Sequence, residues 1–142
     1  MASETDLAYA AGLLDGEGHL SIGFKRNQKG RQYHSVSVEV ANTDVRAINW
    51  MAERFGGWGR RINRDRPGCK PLFTWSLHGM KPVEDFLCRV RPYLVIKAQQ
   101  ADLILAITAT VMSGSQRLSD DVVALREECR LQLRTLTKRG VA

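Results

Sequence analysis

Residues 10–18 read Ala10-Ala11-Gly12-Leu13-Leu14-Asp15-Gly16-Glu17-Gly18, and the rest of the chain becomes intelligible from this run. Leu7, Ala10, Ala11 and Leu14 recur at i, i+3, i+4 and i+7, the spacing of one buried helix face, with Thr5 as a candidate N-cap. A neighbouring stripe holds Ala8, Gly12 and Asp15. Small residues four apart remove the bulk that separates two helix backbones. A second copy of this helix could therefore approach along Ala8, Ala11, Gly12 and Asp15. Gly16 and Gly18 are expected to end the helix, because glycine adopts positive φ without steric cost. Asp15 and Glu17 then lie at a helix C-terminus, already the negative end of the macrodipole. Two carboxylates there are unfavourable unless a cation joins them. A hard divalent ion with oxygen ligands meets that need, and the carbonyls of Gly16 and Gly18 are bare enough to contribute.

Composition narrows the partners. The 142 residues fit one domain, residues 1–142, with a proper core. Lys and Arg outnumber Asp and Glu by 21 to 15, a net charge of +6 that suits a polyanion, either nucleic acid or an anionic membrane surface. No apolar run reaches transmembrane length and no segment has a signal peptide's charged-then-apolar order. A membrane partner is thus disfavoured, and the expected location is intracellular (cytoplasm, nucleoid or organelle matrix), not secreted. Cys69, Cys88 and Cys129 are odd in number and form no CxxC pair, so they read as reduced thiols. His19, His34 and His78 are too scattered to suggest a zinc site.

Downstream of the opening helix, residues 19–25 alternate strictly, with Leu20, Ile22 and Phe24 on one face. Residues 27–31, Asn-Gln-Lys-Gly-Arg, make a hairpin turn, and residues 33–41 return with Val36, Val38 and Val40 toward the core. Asn42 or Thr43 can cap a helix that buries Val45, Ile48, Met51, Ala52 and Phe55, ended by Gly56-Gly57. A second hairpin spans residues 60–77, with Phe73, Trp75 and Leu77 inward and Leu72, Thr74 and Ser76 outward beside Arg61 and Asn63. Further helices are expected from Lys81 to about Val90, broken at Arg91-Pro92, and from Leu94 to about Met112. The last follows Ser119 and buries Val122, Val123, Leu125, Leu131, Leu133 and Leu136. The fold class is α+β: helix, hairpin, helix, hairpin, helices, with one four-stranded antiparallel sheet covered on a single face.

The uncovered face collects His19, Ser21, Lys25, Tyr33, Ser35, Ser37, Glu39, Arg61, Asn63, Thr74 and Ser76, with Asn27 in the adjoining turn. Rows of Arg, Asn, Tyr and hydroxyl side chains on a twisted sheet suit base edges in a major groove. Lys25, Arg26, Lys29, Arg31, Arg64 and Arg66 suit phosphates. A solvated sheet face also shows polar residues, and the excess of positive charge favours DNA. Glu39 is the exception, fitted to accept from cytosine or to place a neighbouring cation.

The nine-residue run, opening as it does an alternating strand, resembles the motif of the LAGLIDADG homing endonucleases, and the resemblance continues in order to about residue 107. It implies a saddle-shaped homodimer in which two motif helices pack together and the last acidic residue of each, here Glu17, binds divalent metal at the scissile phosphates. Glutamate stands where aspartate is more frequent, lengthening the ligand by one methylene. In Val40-Ala41-Asn42-Thr43-Asp44 the resemblance puts Asn42 near the metal waters, and it puts Arg46 close to the cut. Pro92-Tyr93-Leu94-Val95-Ile96-Lys97 resembles the segment whose lysine reaches the active site, making Lys97 that candidate. Each has a plainer reading: Asn42 as a cap, Arg46 as a surface arginine, Lys97 as an exposed lysine at a helix start.

The implied activity is site-specific hydrolysis of double-stranded DNA with Mg²⁺, or another divalent cation such as Mn²⁺, held by Glu17 and the Gly16 carbonyl. Family members cut across the minor groove and leave 3′ overhangs. One motif supplies one carboxylate, so the active unit would be a homodimer on an approximately palindromic site. The alternatives are a DNA-binding regulator or an intron RNA maturase of the same fold without cleavage. More distant is an acid–base enzyme using Asp15 and Glu17, for which a basic open sheet has no use.

Overall fold

The computed structural model describes residues 2–62, 67–111 and 118–137. The first helix, α1 (Glu4–Glu17), starts at a capping box and not at Thr5. Ser3 Oγ accepts from the Asp6 N–H at 3.1 Å, and the Asp6 carboxylate accepts from the Ser3 N–H at 3.1 Å. Both bonds satisfy donors that a first helical turn leaves open. The helix continues through Gly16, and neither Gly16 nor Gly18 takes positive φ. Gly18 is required for space instead. A Cβ there would lie 2.4 Å from Leu14 Cδ1 and 2.5 Å from the Leu14 carbonyl oxygen. The backbone can therefore pass from helix directly into β1 (Gly18–Arg26) with no loop between.

The β1 strand returns as β2 (Gln32–Asn42) through a turn in which Gly30 has φ +77°. After α2 (Val45–Phe55) come β3 (Trp58–Ile62), β4 (Leu72–His78) and α3 (Met80–Val90). A 3₁₀ turn (Arg91–Tyr93), α4 (Ala98–Thr108) and α5 (Asp120–Thr137) complete the order. The four strands form one antiparallel sheet in the order β1-β2-β4-β3, and the helices pack on one face of it, as the α+β reading expects.

Alternation fills the covered face. Leu20, Val38 and Leu77 stand in one cross-strand row and Val40 with Trp75 in the next, all buried. The Trp75 indole donates to the Gly56 carbonyl at 2.6 Å, pinning the end of α2 to the sheet. Aromatic contacts continue outward from Trp75, tilted onto Phe86 and then edge-to-face through Phe55 and Trp50 to the exposed Tyr9 on α1.

Three sequence expectations change. Val45 is exposed, because α2 begins at Val45 itself, capped by the Asp44 carboxylate. Leu133 is buried as expected, but Leu125, Leu131 and Leu136 face outward, and α5 buries Arg126 and Cys129 in their place. Residues 94–97 are not helical, because the Val95 and Lys97 N–H groups serve an acceptor on α1, described next.

Candidate active site and nucleic-acid interface

The end of α1 is built by residues far apart in sequence. The Asp15 carboxylate accepts from the Val95 N–H and the Lys97 N–H, each at 2.9 Å. The Lys97 ammonium donates to the Asp15 carbonyl at 2.7 Å. Burial works upward on the Asp15 carboxyl, but the N–H groups of Val95, Lys97 and Ile96 and the Lys97 charge outweigh it and hold the pKa below its ordinary value. Lys97 thus supplies the cation that the negative helix end calls for.

Asp15 is consequently committed within its own chain and is not free to serve a dimer contact through its carboxylate. Glu17, by contrast, is exposed and has no hydrogen-bonding or ionic partner among the described residues. Gly16 beside it is exposed too. Glu17, Gly16, Asp15 and Lys97 therefore come together at one point, where α1 meets β1.

Asn42, Asp44 and Arg46 lie on the rim of a groove of about 730 Å³ between α1 and α2, with Tyr9, Leu13, Ala47 and Trp50 in its lining. Asn42 does not cap α2; its Oδ1 accepts from the Asp44 N–H at 2.8 Å and shapes the turn before the cap. The Arg46 guanidinium is clamped on Asp44, with Nη2 to Oδ2 at 2.7 Å. That pairing holds the Asp44 carboxyl down at about 2. The exposed stripe of α1 comprises Ala8, Tyr9 and Gly12, where a Cβ on Gly12 would meet nothing within 4 Å. Ala11, expected on that stripe, is fully buried in the core, since it shares the face of Leu7 and Leu14.

Directly opposed residues in an antiparallel pair project to the same side. The register therefore defines the open face as the row His19–Glu39–Ser76–Trp58 and the rows Ser21–Ser37–His78, Gly23–Ser35 and Lys25–Tyr33. His19, Lys25, Tyr33 and Glu39 are exposed, and Ser35 and Ser76 half-exposed. Ser21 and Ser37 hydrogen-bond to each other. Asn27 Oδ1 braces the turn by accepting from the Lys29 and Arg31 N–H groups.

Two assignments are corrected. Arg61 opposes Phe73, so it belongs to the other face, and Arg60 stands opposite Thr74 on the open one. Thr74 itself is only 4% exposed, closed to any ligand. Asn63 lies outside the described residues. Sequence reasoning also missed Trp58, 76% exposed at the edge of the open face, and His78. The signal was the hairpin register: moving one strand by a single residue exchanges its faces.

No group of three or more metal-ligating side chains occurs among the described residues of one chain. No helix among them is long and apolar enough to cross a membrane.

Comparison with known proteins agrees with this architecture. No protein-family model matches the chain. The DNA endonuclease I-CreI of Chlamydomonas reinhardtii is 29% identical over 111 residues, 78% of this chain and 66% of that protein, so just under two thirds of the relative's length is spanned. The homing endonuclease I-CvuI, solved with its target in the presence of Ca, superposes with a TM-score of 0.79 at 19% identity, covering 98% of this chain and 87% of that one. The LAGLIDADG homing endonuclease I-GzeII, solved with a DNA target, gives a TM-score of 0.67 at 16% identity over 96% of this chain and 46% of that one. With one four-stranded sheet and this helix order, the chain has the fold of the homing endonucleases, the LAGLIDADG homing endonuclease I-GzeII among them.

Proposed function

We propose that this chain is a site-specific endonuclease of double-stranded DNA, acting as a homodimer on a long pseudo-palindromic site with a divalent cation, Mg²⁺ or a substitute such as Mn²⁺. The observation that carries the proposal is the division of labour at the end of α1. Asp15 is bound to its own chain and Lys97 neutralises the helix terminus, while Glu17 projects from the same turn with no partner among the described residues.

An exposed carboxylate beside the bare Gly16 carbonyl suits a hard cation. One chain offers a single such carboxylate, so a complete site calls for two. The exposed Ala8–Gly12 stripe of α1 gives a second copy room to bring its own Glu17 alongside. I-GzeII is consistent with this arrangement, since a match to 46% of its length leaves space in one chain for a second such module.

A divalent cation at Glu17 would lower the pKa of water and screen the scissile phosphate. Lys97, with one ammonium hydrogen given to Asp15 and two remaining, would stabilise the charge that builds on the phosphate oxygens. Arg46 would add to this by exchanging Asp44 for phosphate, and Asn42 would orient water through its amide NH₂, which has no acceptor among the described residues. The open sheet face, from Lys25 and Tyr33 across to Trp58 and Arg60, would lie in the major groove, with binding sensitive to salt through the basic turns.

The test begins by selecting a cleavable site from a randomised duplex library, then placing it in a plasmid. Native protein should linearise the plasmid only with divalent cation, and Glu17→Gln should bind the site without cutting it. Native protein that binds duplex but never cuts would point instead to a regulator, or, with tighter binding to structured RNA, to a maturase.

A further inference from the structure

The β4 strand pairs with β2 only along Ser37–Asn42, so the four-stranded sheet ends there. Beyond it, β1 and β2 run on together from the Gly23–Ser35 pair to Arg26–Gln32 as a two-stranded arm. An isolated two-stranded hairpin is marginal in water, so the pose of this arm needs an outside support. The arm also carries Lys25, Asn27, Arg31 and Tyr33, four of the exposed residues assigned above to DNA.

The support comes from α5. The ring of His34 is buried and its Nε2 lies 2.8 Å from the Glu127 carboxylate. Glu127 is gripped in turn by Arg130, Nε to Oε1 at 2.9 Å. The Arg130 guanidinium lies 5.6 Å from the centre of the Phe24 ring, and Phe24 packs on His34 at 4.7 Å. Phe24 and His34 are direct partners in β1 and β2. Both strands of the arm are thus tied to one helix by a closed circuit of four side chains. Among the described residues, His34 to Glu127 is the one side-chain hydrogen bond between α5 and the sheet.

We propose that Glu127 and Arg130 are positioning residues for DNA recognition, setting the pose of the arm and with it the base preference at the outer ends of the target. The proposal rests on the DNA-binding reading above. Neither residue touches DNA itself, since both lie on the helix side of the sheet. What they control is whether Lys25 and Tyr33 arrive at the groove in one geometry or in many. A base-reading side chain on a loosely held strand loses discrimination before it loses charge attraction, because phosphate contacts tolerate displacement and paired hydrogen bonds do not.

Two measurements on the full chain test this, each with Glu127→Ala and with Arg130→Met, which keeps the apolar stem. Hydrogen exchange should quicken about tenfold in residues 23–35, the scale of one lost charge-assisted bond, and stay unchanged in residues 36–42. Glu127→Gln, which retains an acceptor, should restore most of the protection. Selection from a randomised duplex library should then show preference lost at the outer positions of both half-sites and kept at the centre. Unchanged exchange in the arm overturns the proposal. So does faster exchange with outer preferences intact, or a loss spread evenly over the site. A native protein that enriches no duplex at all overturns the DNA reading itself, and this proposal with it.

Discussion

Replacing Asp15 by Ala should unsettle the join between α1 and residues 94–97 more than any nearby surface change. Two backbone N–H groups, of Val95 and Lys97, each lose a carboxylate acceptor at 2.9 Å. Hydrogen bonds to a charged group contribute about 1.5–3 kcal/mol each. Val95 is exposed, so water can replace its bond at small cost, whereas Lys97 is half-buried and recovers less. The sum is a loss of about 3 kcal/mol. Unfolding entropy of roughly 2.1 cal/mol/K per residue turns that into a fall in melting temperature of about 10 °C for a chain this long.

Asp15→Asn keeps one acceptor oxygen and should lose about half as much. The Lys97 ammonium bonds to the Asp15 backbone carbonyl, so it survives either change. The pKa of Asp15 is depressed on folding, so its contribution is complete above the ordinary value of 3.8 and disappears as the pH falls below it. The difference between native protein and Asp15→Ala should accordingly narrow in acid. Thermal unfolding followed by circular dichroism, at one fixed protein concentration and at neutral and acid pH, reads all of this. Melting of both variants within about 2 °C of the native protein would refute the view that Asp15 organises this junction.

Two further expectations can be checked alongside. Gly18→Ala places a methyl group 2.4–2.5 Å from atoms of Leu14, backbone among them. It should lower the urea midpoint by an amount equal to about 3 kcal/mol, whereas a tolerated alanine would show that the close approach of Leu14 does not select glycine at this position. Arg60→Ala should weaken binding to the selected duplex by about 1–2 kcal/mol and reduce the salt slope by about one. Arg61→Ala should do less, and the reverse order would show the hairpin register to be wrong.

How far residues speak without the fold differs from site to site. Hydrophobic alternation between residues 19 and 41 was enough to define one hairpin, because a half-covered strand has only one residue period available. The opening run marked its own helix, and the buried stripe of Ala10, Ala11 and Leu14 is where spacing placed it. The second hairpin was harder. Its strands were legible, but Arg60 and Arg61 are both polar and both exposed, and nothing local says which one shares a face with Ser76.

What the amino-acid order settled unaided was the set of elements, the apolar side of the opening helix and of the first hairpin, and the place where a helix runs into a strand through Gly18. These depend on periodicity and on contacts within a few residues. Three-dimensional packing alone decided the use of each charged group at the helix end. Asp15 and Lys97 are 82 positions apart in the chain, and local spacing cannot report that one holds the other while Glu17, two residues on, is left exposed. Long-range hydrogen bonds of this kind choose among equally polar side chains, and only the assembled fold brings their partners within reach.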